Sequence, residues 1–440
     1  MSNRLPRRAF VRNGSLALLA LGLPPRFLEG SMLAAPPTAR AKTLICIFQR
    51  GAVDGLSMVV PFGDPHYAGP RRSIAVAPPG GDGGALDLDG FFGLHPALGP
   101  LHELWGRGEF AIVQAVGSPH PTRSHFDAQD FMETATPGVK STRDGWLNRV
   151  LADTACADCD GRTLSGGTAH AADHAAGQGD MAVVPALRGV AMGAALPRAM
   201  RGRHPTLAVA DLERFGIGGG GAGALEETFA NLYRTEAGDV VGSAADGAFE
   251  AIDVLKAADL QRHRPANGAR YPAGAFGRSL SQIAQLIKGG VGVEIAFADI
   301  GGWDTHRAQG GAQGQLAGRF TELAQGIRAL YDDLGDRMED VVVLTMSEFG
   351  RTVAENGSGG TDHGHASCMF VLGGPVKGGR VLGDWPGLAR EQLNEGRDLA
   401  RTTDFRDVFA EVVGGHLGVQ DLDRIFPGHP VNRSAWRGVL

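Results

Sequence analysis

The sequence predicts an α/β fold, a three-layer sandwich with a mainly parallel central sheet and helices on both faces. Three observations carry that expectation. Continuous apolar runs rich in β-formers lie at residues 42–49 (KTLICIFQ), 109–116 (EFAIVQAV) and 340–346 (DVVVLTM); they lack the polar alternation of a half-exposed strand and suit strands buried on both faces. Helix-period segments alternate with them, as in a doubly covered sheet. Polar residues gather just after the strands, beside glycines, at the edge where open α/β sheets bind ligands.

The elements follow in order. The first strand, 42–49, runs into Arg50-Gly51-Ala52-Val53-Asp54, so Asp54 lies just beyond a strand end. Residues 62–92 are rich in Pro, Gly and Asp and read as an extended excursion. A short amphipathic helix is expected over 96–105, then the strand 109–116. Its end enters Gly117 to Phe126, where a helix starts and continues to about Thr134, with Thr122 or Ser124 at or near the N-cap. Residues 153–180 read as a loop, 181–190 and 206–210 as strands, and 224–264 as helical. Gly216 to Gly221 spells G-x-G-x-x-G, but it follows a polar stretch instead of a strand and fails the context test for a dinucleotide loop. A helix at 279–288, a strand at 292–298, a helix at 318–334, the strand 340–346 and a strand at 368–372 complete the pattern.

Residues 1–41 read as an export signal. Arg7-Arg8-Ala9-Phe10-Val11-Arg12 is a twin-arginine motif, followed by a mildly apolar stretch too short to span a bilayer. Such signals are addresses read by a receptor. The expectation is a periplasmic or extracellular protein, exported by the twin-arginine translocase, with one domain over 42–440 and no membrane span. Loss of residues 1–41 removes six arginines and one glutamate and takes the net charge from −6 to −11. An acidic mature chain gives no support for nucleic-acid or anionic-membrane binding. The chain has four cysteines; Cys156 and Cys159 form a C-x-x-C pair without the second pair a zinc ribbon needs, and in an oxidising compartment they suit a small disulfide loop.

The chemistry concentrates at five loops. Asp54, Ser124-His125, Asp304-His306 and Ser347-Glu348 each follow an expected strand, and a fifth loop supplies Asp362, His363 and His365. Strand ends of a parallel sheet share an edge, so groups far apart in sequence converge there. Each piece alone has a plainer explanation: a turn aspartate at Asp54, an N-cap at Ser124, a helix start at Asp304, a Glu348–Arg351 ion pair. Two histidines flanking Gly364 beside Asp362 are harder to explain as packing. Imidazole with carboxylate suits zinc, manganese or iron.

At these residues the chain resembles the bacterial domain-of-unknown-function-1501 family, twin-arginine-exported members of the alkaline phosphatase superfamily. The matching segments are 50–61 (RGAVDGLSMVVP), 123–129 (RSHFDAQ), 301–306 (GGWDTH), 347–352 (SEFGRT) and 361–366 (TDHGHA). The resemblance implies an alkaline-phosphatase-like sandwich. It implies divalent metal, zinc first with manganese, magnesium or calcium as alternatives, one or two ions per chain. It carries over Asp54, Asp304 and His306 as ligands, with His363 or His365 and Asp362 as the last of them, and Ser124 as nucleophile with Thr122 in reserve. Glu348 stands where the superfamily places an Asp-His pair and joins the ligand set, and that departure puts a second ion in doubt. Arg123 and Arg351 are expected to grip substrate oxygens. His125 is expected behind the ligands or against a phosphoryl or sulfuryl oxygen. The expected function is hydrolysis of a phosphate or sulfate ester on a small molecule or glycan. The alternative is a metal-binding or partner-docking envelope protein that has lost catalysis. A redox role would rest only on the export route and the Cys156–Cys159 pair.

Overall fold

A computed structural model describes residues 42–157, 187–212, 254, 255, 258, 260 and 263–440. The twin-arginine segment, the Cys159 half of the C-x-x-C pair, Gly216 to Gly221 and nearly all of the expected helical stretch 224–264 lie outside the described residues.

Twelve strands are described: β1 (Thr43–Gln49), β2 (Val59–Val60), β3 (Leu86–Asp87), β4 (Gly93–Leu94), β5 (Phe110–Gly117), β6 (Gly189–Met192), β7 (Leu207–Val209), β8 (Ile295–Ile300), β9 (Val341–Met346), β10 (Ser367–Gly373), β11 (Arg380–Leu382) and β12 (Thr403–Asp404). Nine form one sheet in the order β11-β5-β10-β9-β1-β8-β6-β7, with β12 beside β5. Strands β2, β4 and β3 make a small antiparallel sheet. In the large sheet β1 pairs in parallel with both β8 and β9, which places the first apolar run at its centre. Every residue of β1 is buried.

Side chains alternate across β1 and divide the core in two. Ile45 and Ile47 join one apolar cluster, and Leu44, Cys46 and Phe48 join the other. The first cluster takes in helices α2 (Gly99–Gly106), α5 (Ala275–Lys288) and α6 (Gln315–Leu334). The second takes in α4 (Trp146–Ala157), α7 (Phe405–His416) and α8 (Leu422–Ile425), with Trp146 stacked on Phe409 at 4.4 Å between ring centroids. Helices on both faces of a mostly parallel sheet confirm the expected three-layer α/β architecture. Helix α6 shows why these segments are helical. Leu316, Phe320, Leu323, Ile327, Leu330 and Leu334 recur every three or four residues and are all buried, and Gly314 and Gly335 bracket the helix at positive φ.

One strand departs from the parallel majority. β10 runs antiparallel to both of its neighbours, β5 and β9. Its first residue, Ser367, therefore sits opposite Val116 near the carboxyl end of β5. The Asp362–His365 loop reaches the shared edge because it precedes a reversed strand, whereas the other loops follow parallel ones. Two short helices also sit at this edge, α1 (Gly55–Met58) and α3 (His125–Thr134).

Candidate functional site

Four side chains meet at the carboxyl edge. His125 opens α3, Asp304 and His306 follow β8, and His363 precedes β10. Nε2 of His363 lies 3.0 Å from Nε2 of His125 and 3.0 Å from Nε2 of His306. The Asp304 carboxylate closes the group, with Oδ1 2.9 Å from His306 Nε2 and 3.2 Å from His363 Nε2, and Oδ2 3.5 Å from His125 Nε2. Of these, His125, Asp304 and His363 each offer one ligand atom, all within 4.8 Å of one another, and could hold a metal ion.

The far side of each imidazole fixes its tautomer. His125 Nδ1 lies 2.8 Å from Glu348 Oε1, His306 Nδ1 lies 3.0 Å from Asp362 Oδ1, and His363 Nδ1 lies 2.9 Å from the Arg123 carbonyl. A carboxylate or carbonyl oxygen only accepts, so each Nδ1 carries the hydrogen and donates. In the neutral rings, the Nε2 lone pairs of His125 and His306 then each face that of His363 beside an aspartate. That arrangement repels itself unless a positive charge sits among them.

Close backbone approaches hold these loops together. Gly51 has φ +115, and a Cβ there would fall 2.8 Å from the Asp304 amide nitrogen. A Cβ on Gly364 would fall 2.4 Å from the Arg351 carbonyl carbon, which accounts for the glycine between His363 and His365. Arg351 is wholly buried. Its guanidinium donates to the carbonyls of Gly51, Ala52, Trp303 and Thr361 and to Asp304 Oδ1. The expectation that Arg351 grips substrate is corrected: every arm of its fork is engaged in tying three loops together.

Three other expected ligands have different work. Glu348 is buried, and Oε1 accepts from the Gly51 amide, Gln129 and His125. Burial pushes its pKa up, but the hydrogen bonds from His125, Gln129 and Gly51 prevail and hold it below the usual carboxylate range. Glu348 thus orients His125, and Asp362 does the same for His306. Asp54 is also buried. Its oxygens accept from Arg71, Ser57 and Gln309, and it caps α1 through the amides of Leu56 and Ser57. Burial raises the Asp54 pKa, and the Arg71 charge and hydrogen bonds more than reverse that. His365 is not among the converging groups, and burial depresses its pKa.

At Asp304, burial raises the pKa, while the hydrogen bond and charge of Arg351 bring it below the usual value. The hydrogen bond to Glu348 raises the pKa of His125 against burial, and burial lowers that of His363. Ser124 occupies the N-cap position of α3, exposed, with a side chain that makes no capping bond. Thr122 Oγ1 accepts from the Ser124 amide at 3.2 Å. Arg123 ion-pairs with Asp398 at 2.6 Å and Glu395 at 2.8 Å, so its charge, too, is engaged within the protein.

A family model described as "Protein of unknown function (DUF1501)" matches residues 111–431. The chain belongs to this family. The DUF1501 match takes in every converging residue, His125, Asp304, His306 and His363, and begins beyond β1 and Asp54. A search of curated proteins finds no match. Among solved structures, the PsFucS1 sulfatase from Pseudoalteromonas sp. aligns with 99% of this chain and 77% of its own, at 11% identity and a TM-score of 0.36. Likeness at that level says nothing about chemistry. No helix among the described residues is long and apolar enough to cross a membrane.

Sequence reasoning placed His125 behind the ligands or against a substrate oxygen, and the structure brings its Nε2 next to His363. It missed Arg71, Gln129, Gln309 and Asn356, whose side-chain amide donates to Asp362 Oδ1 and the His306 carbonyl. Arg71 sits in the Pro- and Gly-rich excursion, where nothing in the local pattern distinguishes a buried guanidinium from an exposed one.

Proposed function

We propose that this DUF1501 protein is an exported, metal-dependent hydrolase acting on a phosphate or sulfate ester. One observation carries the reading: with an acceptor behind each ring, Nε2 of His125 and Nε2 of His306 both face Nε2 of His363 beside Asp304. Donor spacing supports a metal ion there. Two atoms each about 2.1 Å from one ion lie roughly 3 Å apart at right angles and about 3.4 Å apart at the tetrahedral angle. The two nitrogen–nitrogen distances of 3.0 Å to His363 fall in that range, and the contacts to Asp304 of 2.9–3.5 Å lie close to it. His125, His363 and Asp304 would hold a single ion, zinc by donor type, with His306 beside His363 and Asp304. Bound there, such an ion supplies Lewis-acid polarisation and acidifies an adjacent water or hydroxyl.

The chain's own groups supply the rest. The first turn of α3 presents unpaired amides and a partial positive charge to an anion. Ser124, exposed at that end, is the nucleophile; Thr122 shapes the turn with its oxygen. The carbonyl of Arg123 anchors His363 and holds this turn against the histidines. Attack by the Ser124 hydroxyl or by water forms the new bond to phosphorus or sulfur as the bond to the ester oxygen breaks, and the leaving alcohol oxygen takes up the proton; where Ser124 attacks, a water then hydrolyses the seryl ester and restores the hydroxyl. The resemblance in the five motif segments supplies the ester class, and the twin-arginine motif supplies the export route.

A second reading, a metal-binding or partner-docking envelope protein without hydrolysis, is favoured by one observation. Both arginines expected to grip substrate, Arg123 and Arg351, are engaged by protein groups. Elemental analysis of purified protein, with a panel of aryl phosphates and aryl sulfates, tests both. One divalent ion per chain and hydrolysis lost in Asp304→Ala support the enzyme. Bound metal with no hydrolysis supports the second reading, and absence of metal overturns both.

A further inference from the structure

Gln309 is completely buried and touches none of the four converging groups. Its amide nevertheless has one allowed orientation. Arg71 holds Asp54 through two hydrogen bonds, NH1 to Oδ2 at 2.8 Å and NH2 to Oδ1 at 3.0 Å, and both side chains are essentially inaccessible. Asp54 is thereby fixed as a carboxylate, which only accepts. The Gln309 nitrogen must face it, and does, with Nε2 2.6 Å from Oδ2. The Gln309 oxygen is left pointing the other way, where it accepts from Thr305 Oγ1 at 2.9 Å and Thr361 Oγ1 at 2.8 Å.

Those two threonines occupy telling positions. Thr305 lies between Asp304 and His306, and Thr361 immediately precedes Asp362 and His363. One amide oxygen therefore staples the loop after β8 to the loop before β10. The backbone repeats the link, with Thr361 N donating to the Thr305 carbonyl at 3.1 Å and Gln309 N to Gly359 at 2.8 Å. No other side-chain partner is seen for either threonine hydroxyl among the described residues.

The geometry points to Gln309 as a positioning residue that sets the gap between the two loops carrying Asp304, His306 and His363, with Asp54 and Arg71 serving to orient its amide. This rests on the metal reading above. Asp54, which the resemblance offers as a ligand, takes part at one remove: it aims the amide that spaces the donors. The gap matters because donor atoms must sit within a few tenths of an ångström of a common bonding distance.

Thr→Val substitution removes a hydroxyl at nearly constant volume, and Thr→Ser keeps it. The test compares the wild type, the Thr305→Val/Thr361→Val double variant and the Thr305→Ser/Thr361→Ser double variant. Zinc dissociation constants are measured by competition with a chromophoric chelator, and melting temperatures in metal-free buffer. The expected result is zinc binding weakened about tenfold or more in the valine pair, the low end of the cost of removing groups that orient metal ligands. The serine pair should restore wild-type affinity. Wild-type affinity in the valine pair overturns the proposal, as does equal weakening in both pairs. Should the valine pair fail to fold, Thr361→Val alone is measured, and an unchanged dissociation constant there overturns it. A wild-type chain that binds no zinc overturns the metal reading itself, and that outcome is visible before any variant is compared.

Discussion

His363 donates through Nδ1 to the carbonyl of Arg123 at 2.9 Å, across 240 residues of sequence. That bond turns its Nε2 toward His125, His306 and Asp304. His363 is thus the one imidazole in contact with all three of the other groups. His363→Ala should abolish metal binding while leaving the fold intact, since the ring is part-exposed at the sheet edge. Elemental analysis with circular dichroism checks it; full metal occupancy in the variant would place the ion elsewhere.

Glu348 offers a graded test of how the histidines are aimed. In Glu348→Gln the side-chain oxygen can still accept from His125, but without the charge. Metal affinity should fall by about tenfold. Glu348→Ala leaves the Gly51 amide, Gln129 and His125 without their shared acceptor in a buried position, and should cost roughly 3 kcal/mol of stability. Chelator competition measures the first effect and urea denaturation the second.

Ser124→Ala separates binding from chemistry. The hydroxyl makes no capping bond, so its removal should leave the melting temperature and metal content unchanged. Hydrolysis of any ester the wild type cleaves should fall by a hundredfold or more. Retained turnover would point to water as the attacking group.

Much of the fold was legible because buried parallel strands have a distinctive composition: β1 and β9 are continuous apolar runs, and their ends deliver Gly51 and Glu348. The direction of β10 was not legible, since a short apolar run reads the same either way. At the site, residue types were easier to read than roles. Asp304, His306 and His363 lie together at the sheet edge, where loops from separate strands meet. Glu348 and Asp362 converge as well, but face Nδ1 instead of Nε2, a difference of side-chain direction that spacing does not encode. Asp54 was misread because its partner, Arg71, lies in a segment that resembles surface loop.

Arg71→Met should be far more damaging than its loop location suggests. It leaves the Asp54 carboxylate buried without a counter-charge, and breaking one side of such a pair costs about 3–5 kcal/mol. A large drop in melting temperature is expected, with Arg71→Met/Asp54→Leu recovering part of it. Calorimetry on the two variants decides.

His416 gives the fold an acid-sensitive point remote from the site. It is buried, its Nε2 lies 3.0 Å from the Thr43 carbonyl, and burial pulls its pKa down to about 4. The unfolded chain, with an ordinary histidine pKa near 6.5, binds a proton between those values that the folded chain refuses. Stability should therefore fall as pH drops from about 6.5 to about 4, by up to roughly 3 kcal/mol, and the contribution is fully present above that window. Urea midpoints across this range check it, and His416→Leu should flatten this part of the profile.

Arg351 has a consequence for the order in which the molecule assembles. Its guanidinium joins carbonyls at Gly51, Ala52, Trp303 and Thr361, the first of them 300 residues away in the chain. Contacts so distant in sequence are slow to form, because much of the chain must already be ordered before they add stability. A chain that ends before Thr361 lacks both His363 and the last of those carbonyls. The carboxyl edge is therefore expected to form late in folding, and uptake of an ion there would report that the segments around Gly51 and Thr361 have come together.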